Sequence, residues 1–172
     1  STLTGDGFEH LKAALRDVAG GVATRPGGRF FRMPIDRVFT LPGRGTIVTG
    51  SVLCGEVRPG EELSLLPADR LVRVRSVQSH STEETTCGAG QRCGINLAGV
   101  KVDEIHRGME LATPNLLKPT HRLLADLRLL PMAGRALRHR ARATLHLGTQ
   151  EVGCRLLLKS GDIEPGNAGV VE

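Results

Sequence analysis

The chain has no tryptophan and no tyrosine, and its only aromatic residues are Phe8, Phe30, Phe31 and Phe39. Proteins that hold single-stranded nucleic acid on a sheet stack its bases on aromatic rings, so that mode of binding is poorly supplied here. No apolar run approaches the roughly twenty residues that cross a bilayer, and no membrane association is expected. The first residue is Ser1, and the opening segment carries neither a signal-peptide apolar region nor a small-residue cleavage site. A cytoplasmic location is the expectation. The four cysteines, Cys54, Cys87, Cys93 and Cys154, include no C-x-x-C pair, and none of the six histidines stands at finger-like spacing. Neither a zinc site nor a disulfide framework is expected from that pattern, and buried reduced thiols are. A G-x-S-x-G nucleophile elbow is also missing, so no catalytic residue is nominated.

What is present is a globular composition, 40% hydrophobic and 24% charged. At 172 residues the chain holds one ordinary domain or two small ones. Its charge is unevenly placed. From Thr120 to Lys159 stand Arg122, Arg128, Arg135, Arg138, Arg140, Arg142, Arg155 and Lys159 against Asp126 and Glu151, a local balance of +6 within a total of +5. Clustered arginine neutralises phosphate well, which points to a polyanion. A solvated face in an arginine-rich protein is the alternative. With so few aromatics, the backbone of a folded RNA is a better match than unstacked bases.

Helical spacing of Phe8, Leu11, Ala14, Leu15 and Val18 predicts one amphipathic helix, with Asp6 and Glu9 as an N-cap and capping box and Gly20-Gly21 as its end. Arg25-Pro26-Gly27-Gly28 reads as a linker. Beyond it come short Val/Ile/Leu/Thr runs punctuated by Gly and Pro, the pattern of a small barrel or sandwich. The predicted strands are 30–39, 45–53, 62–66, 71–78, 91–97 and 108–112. A second β region is predicted at 123–130, 141–147 and 151–158, with Gly148-Thr149 as a hairpin turn. Its roughly fifty residues are few for an independent barrel, so an incomplete one is expected.

The sharpest motif is Arg37-Val38-Phe39, then Gly43-Arg44-Gly45-Thr46-Ile47-Val48-Thr49-Gly50, then Gly55-Glu56-Val57-Arg58-Pro59-Gly60-Glu61-Glu62-Leu63. Glycines at 43 and 45 allow a tight hairpin, those at 50 and 55 allow bends or bulges, and Pro59-Gly60 allows a turn. In this order and spacing, and with Ala89 to Gly99 and Arg107-Gly108-Met109 following, the segment resembles domain II of the translational GTPases. Pro34 to Phe39 and His139 to Val152 narrow the resemblance to the selenocysteine-specific elongation factors. The resemblance implies a mainly β chain divided as follows: residues 1–20 as the last helix of a GTPase domain, 21–28 as a linker, 29–117 as the domain II β-barrel, and 118–172 as a partial domain III barrel.

It also implies roles. Ser1 would be a remnant of a loop that touches guanine. Asp36, Arg37 and Arg92 would line the pocket for the aminoacyl group. Arg135, Arg138, Arg140 and Arg142, read as an Arg-rich hairpin, would meet the tRNA backbone. The chemistry is consistent: a selenol ionises well below neutral pH, whereas a thiol titrates near 8.5 and a serine hydroxyl stays neutral. Two guanidiniums favour the ionised form. Asp36 has two possible roles, orienting a guanidinium or accepting the α-amino group. The plain alternative is a surface ion pair of Asp36 with Arg37 and a solvated Arg92. His106 and Arg107 belong to a turn.

The expected partners are selenocysteinyl-tRNA, the ribosome and the GTPase domain of the same parent chain. GTP and magnesium belong to that parent, because no G-x-x-x-x-G-K-[ST] loop occurs in these residues. The chain itself is expected to be no enzyme and to hold no cofactor or metal. Three rivals stay open: another translational GTPase such as an initiation factor, a Cys/His hydrolase or metal protein, and a barrel that only docks proteins.

Overall fold

The computed structural model describes residues 1–22, 28–80 and 82–172. Arg25, Pro26 and Gly27 of the expected linker lie outside the described residues.

A single helix, α1 (Phe8–Gly21), opens the chain. Its N-cap is Gly7 at φ 78° with no side-chain cap, so the capping box expected from Asp6 and Glu9 does not form. Glu9 instead accepts from Lys12 Nζ at 3.0 Å, one turn on. The apolar stripe Phe8, Leu11, Leu15 and Val18 is exposed along its whole length.

The strands follow in chain order: β1 (Arg32–Pro34), β2 (Arg37–Leu41), β3 (Gly45–Ser51), β4 (Glu56–Val57), β5 (Glu62–Leu66), β6 (Arg70–Ser79), β7 (Thr82–Glu84), β8 (Cys87–Gly88), β9 (Arg92–Ala98) and β10 (Glu110–Ala112). Eight of them form one sheet in the order β1-β10-β5-β6-β9-β3-β2, with β7 on β6. Its two end strands are consecutive in the chain, joined only by Ile35 and Asp36. The sheet must therefore curl until its ends meet, which makes it a barrel. The contact at the seam is close: a Cβ on Gly50 of β3 would lie 2.2 Å from the Pro34 carbonyl oxygen. The predicted strand at 30–39 is thus two strands broken at the seam.

Alternation sorts the residues. Met33, Ile35, Val48, Val72, Val74, Val77, Ile95, Leu97 and Leu111 point inward and are buried. Each such burial is worth roughly 1.5–3 kcal/mol over exposure. In β6 a register shift between Val74 and Ser76 returns Val77 to the inside, which explains why strict alternation fails after Arg75.

The C-terminal part contributes β11 (Ala125–Arg128), β12 (Ala141–Leu147), β13 (Gln150–Leu156) and β14 (Ala168–Val171). These make two two-stranded sheets, β11 with β14 and β12 with β13. Leu158, Ile163 and Val171 form a small separate core. Gly148-Thr149 is the hairpin turn, as expected. Arg135 to Arg140, expected in a hairpin with Arg142, form instead the loop into β12. Leu137 is tied to Ile163 there, and Arg140 turns the chain at φ 66°.

Candidate functional site

At the barrel seam Asp36 leaves the sheet between β1 and β2. Its own N–H donates to the Thr49 carbonyl at 2.8 Å. Its carboxylate faces Arg92 at the start of β9. Arg92 Nη1 donates to Asp36 Oδ2 at 2.5 Å and Nη2 to Oδ1 at 2.9 Å, a two-point pair of the geometry that suits a guanidinium and a carboxylate. Thr49 Oγ1 donates to Asp36 Oδ1 at 2.8 Å and accepts from Arg92 Nη2 at 3.2 Å. Asp36 is held below the usual carboxylate range, first by the hydrogen bonds from Arg92, with burial opposing, then by Thr49 and the charges of Arg92 and Arg37. The Arg92 guanidinium is stabilised in turn by Asp36.

Of the three sequence-nominated pocket residues, Asp36 and Arg92 therefore meet directly. The ion pair expected as the alternative, Asp36 with Arg37, is not the one formed: the carboxylate is taken by Arg92 from across the sheet, and Arg37 acts on it only through its charge. Arg37 is exposed on β2 in register with Thr49, and cross-strand partners share a face. The arrangement thus holds two cations and one anion around Thr49, a net charge of +1. Thr49 is not legible from the sequence as a site residue, because a threonine inside a strand carries no signal of its own. Ser79 and His80 were missed for the same reason. The Ser79 hydroxyl is 3.1 Å from His80 Nδ1 and donates to the Arg92 carbonyl at 3.3 Å, which brings His80 to this end of the barrel.

Along the same outer face Phe39, Ile47 and Asn96 are neighbours in register across β2, β3 and β9. Asn96 is 9% exposed; its Nδ2 donates to the Arg44 carbonyl at 2.8 Å, and its Oδ1 is buried with no hydrogen-bond partner among the described residues. An open groove of about 530 Å³ lies farther along these strands, between Thr40, Gly45, Arg75 and Lys101, away from the Asp36–Arg92 pair.

Arg135, Arg138, Arg140 and Arg142 are all exposed, the first three on the loop and the last on β12. Arg142 stands directly opposite Arg155 of β13. Like charges so placed repel and weaken the ribbon on its own. Ser1 lies before α1, where its Oγ accepts from the N–H groups of Leu3 and Thr4 at 3.3 and 3.4 Å. Cys87 and Cys93 are buried, while Cys54 and Cys154 are half-buried. Burial, then the neighbouring Cys87, pushes the Cys93 thiol far up. Among the described residues no three His, Cys, Asp or Glu side chains gather where they could share a metal ion, and no helix is long and apolar enough to cross a membrane.

Residues 45–112 match the family described as elongation factor Tu domain 2. The chain is 35% identical, over its full length, to the selenocysteine-specific elongation factor of Desulfomicrobium baculatum, of which it spans 27%. It is 29% identical over 91% of its length to the protein of the same name from Methanocaldococcus jannaschii, of which it spans 34%. Its fold superposes on the crystal structure of translation elongation factor SelB from Methanococcus maripaludis, apo form, with a TM-score of 0.82 at 24% identity, covering 96% of this chain and 40% of that one. Barrel, flanking helix and second β region are thus matched together, and the chain is similar along its whole length to a segment of the selenocysteine-specific elongation factors.

Proposed function

We propose that these residues are the tRNA-facing part of a cytoplasmic elongation factor that delivers selenocysteinyl-tRNA to the ribosome in a GTP-dependent way. The observation that carries this reading is the Arg92 guanidinium, held by two hydrogen bonds to Asp36 yet half exposed, with Arg37 on the same face. A selenolate brings the +1 site to neutrality, whereas a seryl hydroxyl leaves its charge uncompensated. A unit pair at ~4 Å is worth about 4 kcal/mol at a surface-like effective dielectric, part of which is offset by desolvating the ions. Roughly 10- to 100-fold selectivity is what remains after that discount. Asp36 acts here by orienting Arg92. Its acceptor capacity is largely taken by Arg92 and Thr49, so the α-amino role is the weaker of the two.

The terminal adenosine lies in this reading along Phe39, Ile47 and Asn96, with the unpartnered Asn96 Oδ1 as an acceptor for a base N–H. Arg135, Arg138, Arg140 and Arg142 meet the phosphates of the tRNA body, and Arg155 joins them. A phosphate between Arg142 and Arg155 would turn their repulsion into attraction. GTP and magnesium are assigned to the GTPase domain of the parent. Of the residues here only Ser1 falls in a guanine-contacting segment, and its hydroxyl is occupied by backbone N–H groups. No step of hydrolysis is assigned to this chain.

The test is equilibrium binding of the full-length factor to selenocysteinyl- and seryl-tRNA on the same tRNA body. Arg92→Ala is expected to abolish the preference while keeping affinity for the uncharged tRNA. Equal affinities in the unaltered factor would sink the reading.

A further inference from the structure

The turn of the β12–β13 ribbon does more than reverse the chain. Thr149 Oγ1 donates to the Ile35 carbonyl at 2.7 Å, and among the described residues this is the one hydrogen bond from the C-terminal part to the barrel. Ile35 is completely buried and immediately precedes Asp36. Its carbonyl also accepts from Gly108 N–H at 3.1 Å, and its N–H donates to the Met109 carbonyl at 2.8 Å. Two glycines permit the approach. A Cβ on Gly148 would lie 3.1 Å from Pro34 Cγ, and one on Gly108 would lie 3.2 Å from Gln150 Cα. The ribbon tip is thus seated on the residues that set where Asp36 leaves the sheet. At the other end of the ribbon, seven residues away and about 23 Å at the rise of an extended strand, stand Arg142 and Arg155.

We propose that Thr149 is a positioning residue for the Asp36–Arg92 pair, so that the RNA-facing ribbon and the aminoacyl pocket are mechanically one unit. The inference rests on the pocket reading given above. Removing the hydroxyl frees the Ile35 carbonyl on one side and lets the backbone at Asp36 shift, which loosens a two-point ion pair that tolerates little misalignment. It leaves every arginine in place. The effect is therefore selective: discrimination between aminoacyl groups falls while grip on the tRNA body persists.

The experiment measures binding of the full-length factor to selenocysteinyl-, seryl- and uncharged tRNA of one sequence. Thr149→Val is expected to lower affinity for the selenocysteinyl form about three- to tenfold, as for the loss of one hydrogen bond, with the other two nearly unchanged. Thr149→Ser is expected to restore the preference, which a purely space-filling role would not do. Gly148→Ala, which pushes the tip off Pro34 at a φ of 60°, is expected to act like Thr149→Val and serves as the second probe should that variant fold poorly. An unchanged preference in Thr149→Val, with Arg92→Ala losing it, would overturn the positioning role and leave the pocket reading standing. Equal losses for all three tRNAs would reduce Thr149 to a docking contact and overturn the proposal. An unchanged preference in both Thr149→Val and Arg92→Ala would remove the pocket reading itself, and the positioning role with it.

Discussion

Replacing Asp36 by Asn tests whether the seam carboxylate holds Arg92 by charge. The carboxylate accepts from two guanidinium nitrogens and from Thr49, with the Asp36 side chain 23% exposed and that of Arg92 51% exposed. Breaking a fully buried ion pair costs about 3–5 kcal/mol, and exposed pairs contribute about 0–1. Half-exposure of the cation places this pair toward the lower figure, and its two-point geometry raises it, giving an expected coupling of about 1 kcal/mol. For a barrel of this size that corresponds to a few degrees in Tm, about 4–8 °C. The coupling is read from a cycle of Asp36→Asn, Arg92→Gln and the double variant by thermal unfolding. The pH dependence has a definite sign. Because the folded carboxyl titrates below its unfolded value, its stabilisation is fully present above the ordinary carboxylate range, near pH 4. It fades as pH falls through the folded value. The Tm deficit of Asp36→Asn should thus be present at pH 7 and shrink at a pH below the ordinary carboxylate range. A coupling under about 0.3 kcal/mol, at the bottom of the range for exposed pairs, or an equal deficit at both pH values, would refute the assignment.

Gly50→Ala places a methyl 2.2 Å from the Pro34 carbonyl oxygen, where backbone rather than a flexible side chain must give way. The barrel should lose more than about 3 kcal/mol, seen as a Tm lowered by ten degrees or more in a calorimetric scan. Arg142→Ala should reduce the slope of log affinity against log salt for the tRNA body by about 0.7–0.9 per lost phosphate contact. The same variant should melt no lower than the parent, because the repulsion with Arg155 is relieved. Under native conditions at pH 8, Cys54 and Cys154 should take up a maleimide while Cys87 and Cys93 stay unmodified until denaturant is added, as followed by mass spectrometry. Rapid modification of Cys93 would contradict its burial and raised thiol pKa.

The barrel was readable because its glycines and apolar runs have local causes. Gly43 and Gly45, at φ 75° and 82°, close the β2–β3 hairpin where the motif placed it. Gly50 was expected to allow a bend, but its role is to let two strands touch at the seam, which only the closed sheet reveals. The short strands β4, β7, β8 and β14 were not legible: two to four residues are too few to show a period, and their pairing is set by distant partners. In the site, Asp36 and Arg92 stand 56 residues apart. No local pattern joins them, and it was the family resemblance that nominated both. Which arginine pairs with Asp36 required the register of β3 against β9. Arg135 to Arg140 were expected in a hairpin with Arg142 because their charge is continuous with it in sequence, whereas tethering of Leu137 to Ile163 holds them in an irregular loop.

The closed sheet interleaves two kinds of position along the same strands. Arg37 alternates with Val38, Thr49 with Val48, and Arg92 with Cys93, one set facing outward and the other filling the barrel. Side chains that would read the ligand can therefore be exchanged one at a time without disturbing the packing that carries them. Insertions are another matter: one extra residue in β3 or β9 would exchange the two sets wholesale. A scaffold of this kind is permissive to changes of specificity by substitution and resistant to changes by length. Related factors can diverge in what they hold while keeping the same strand lengths.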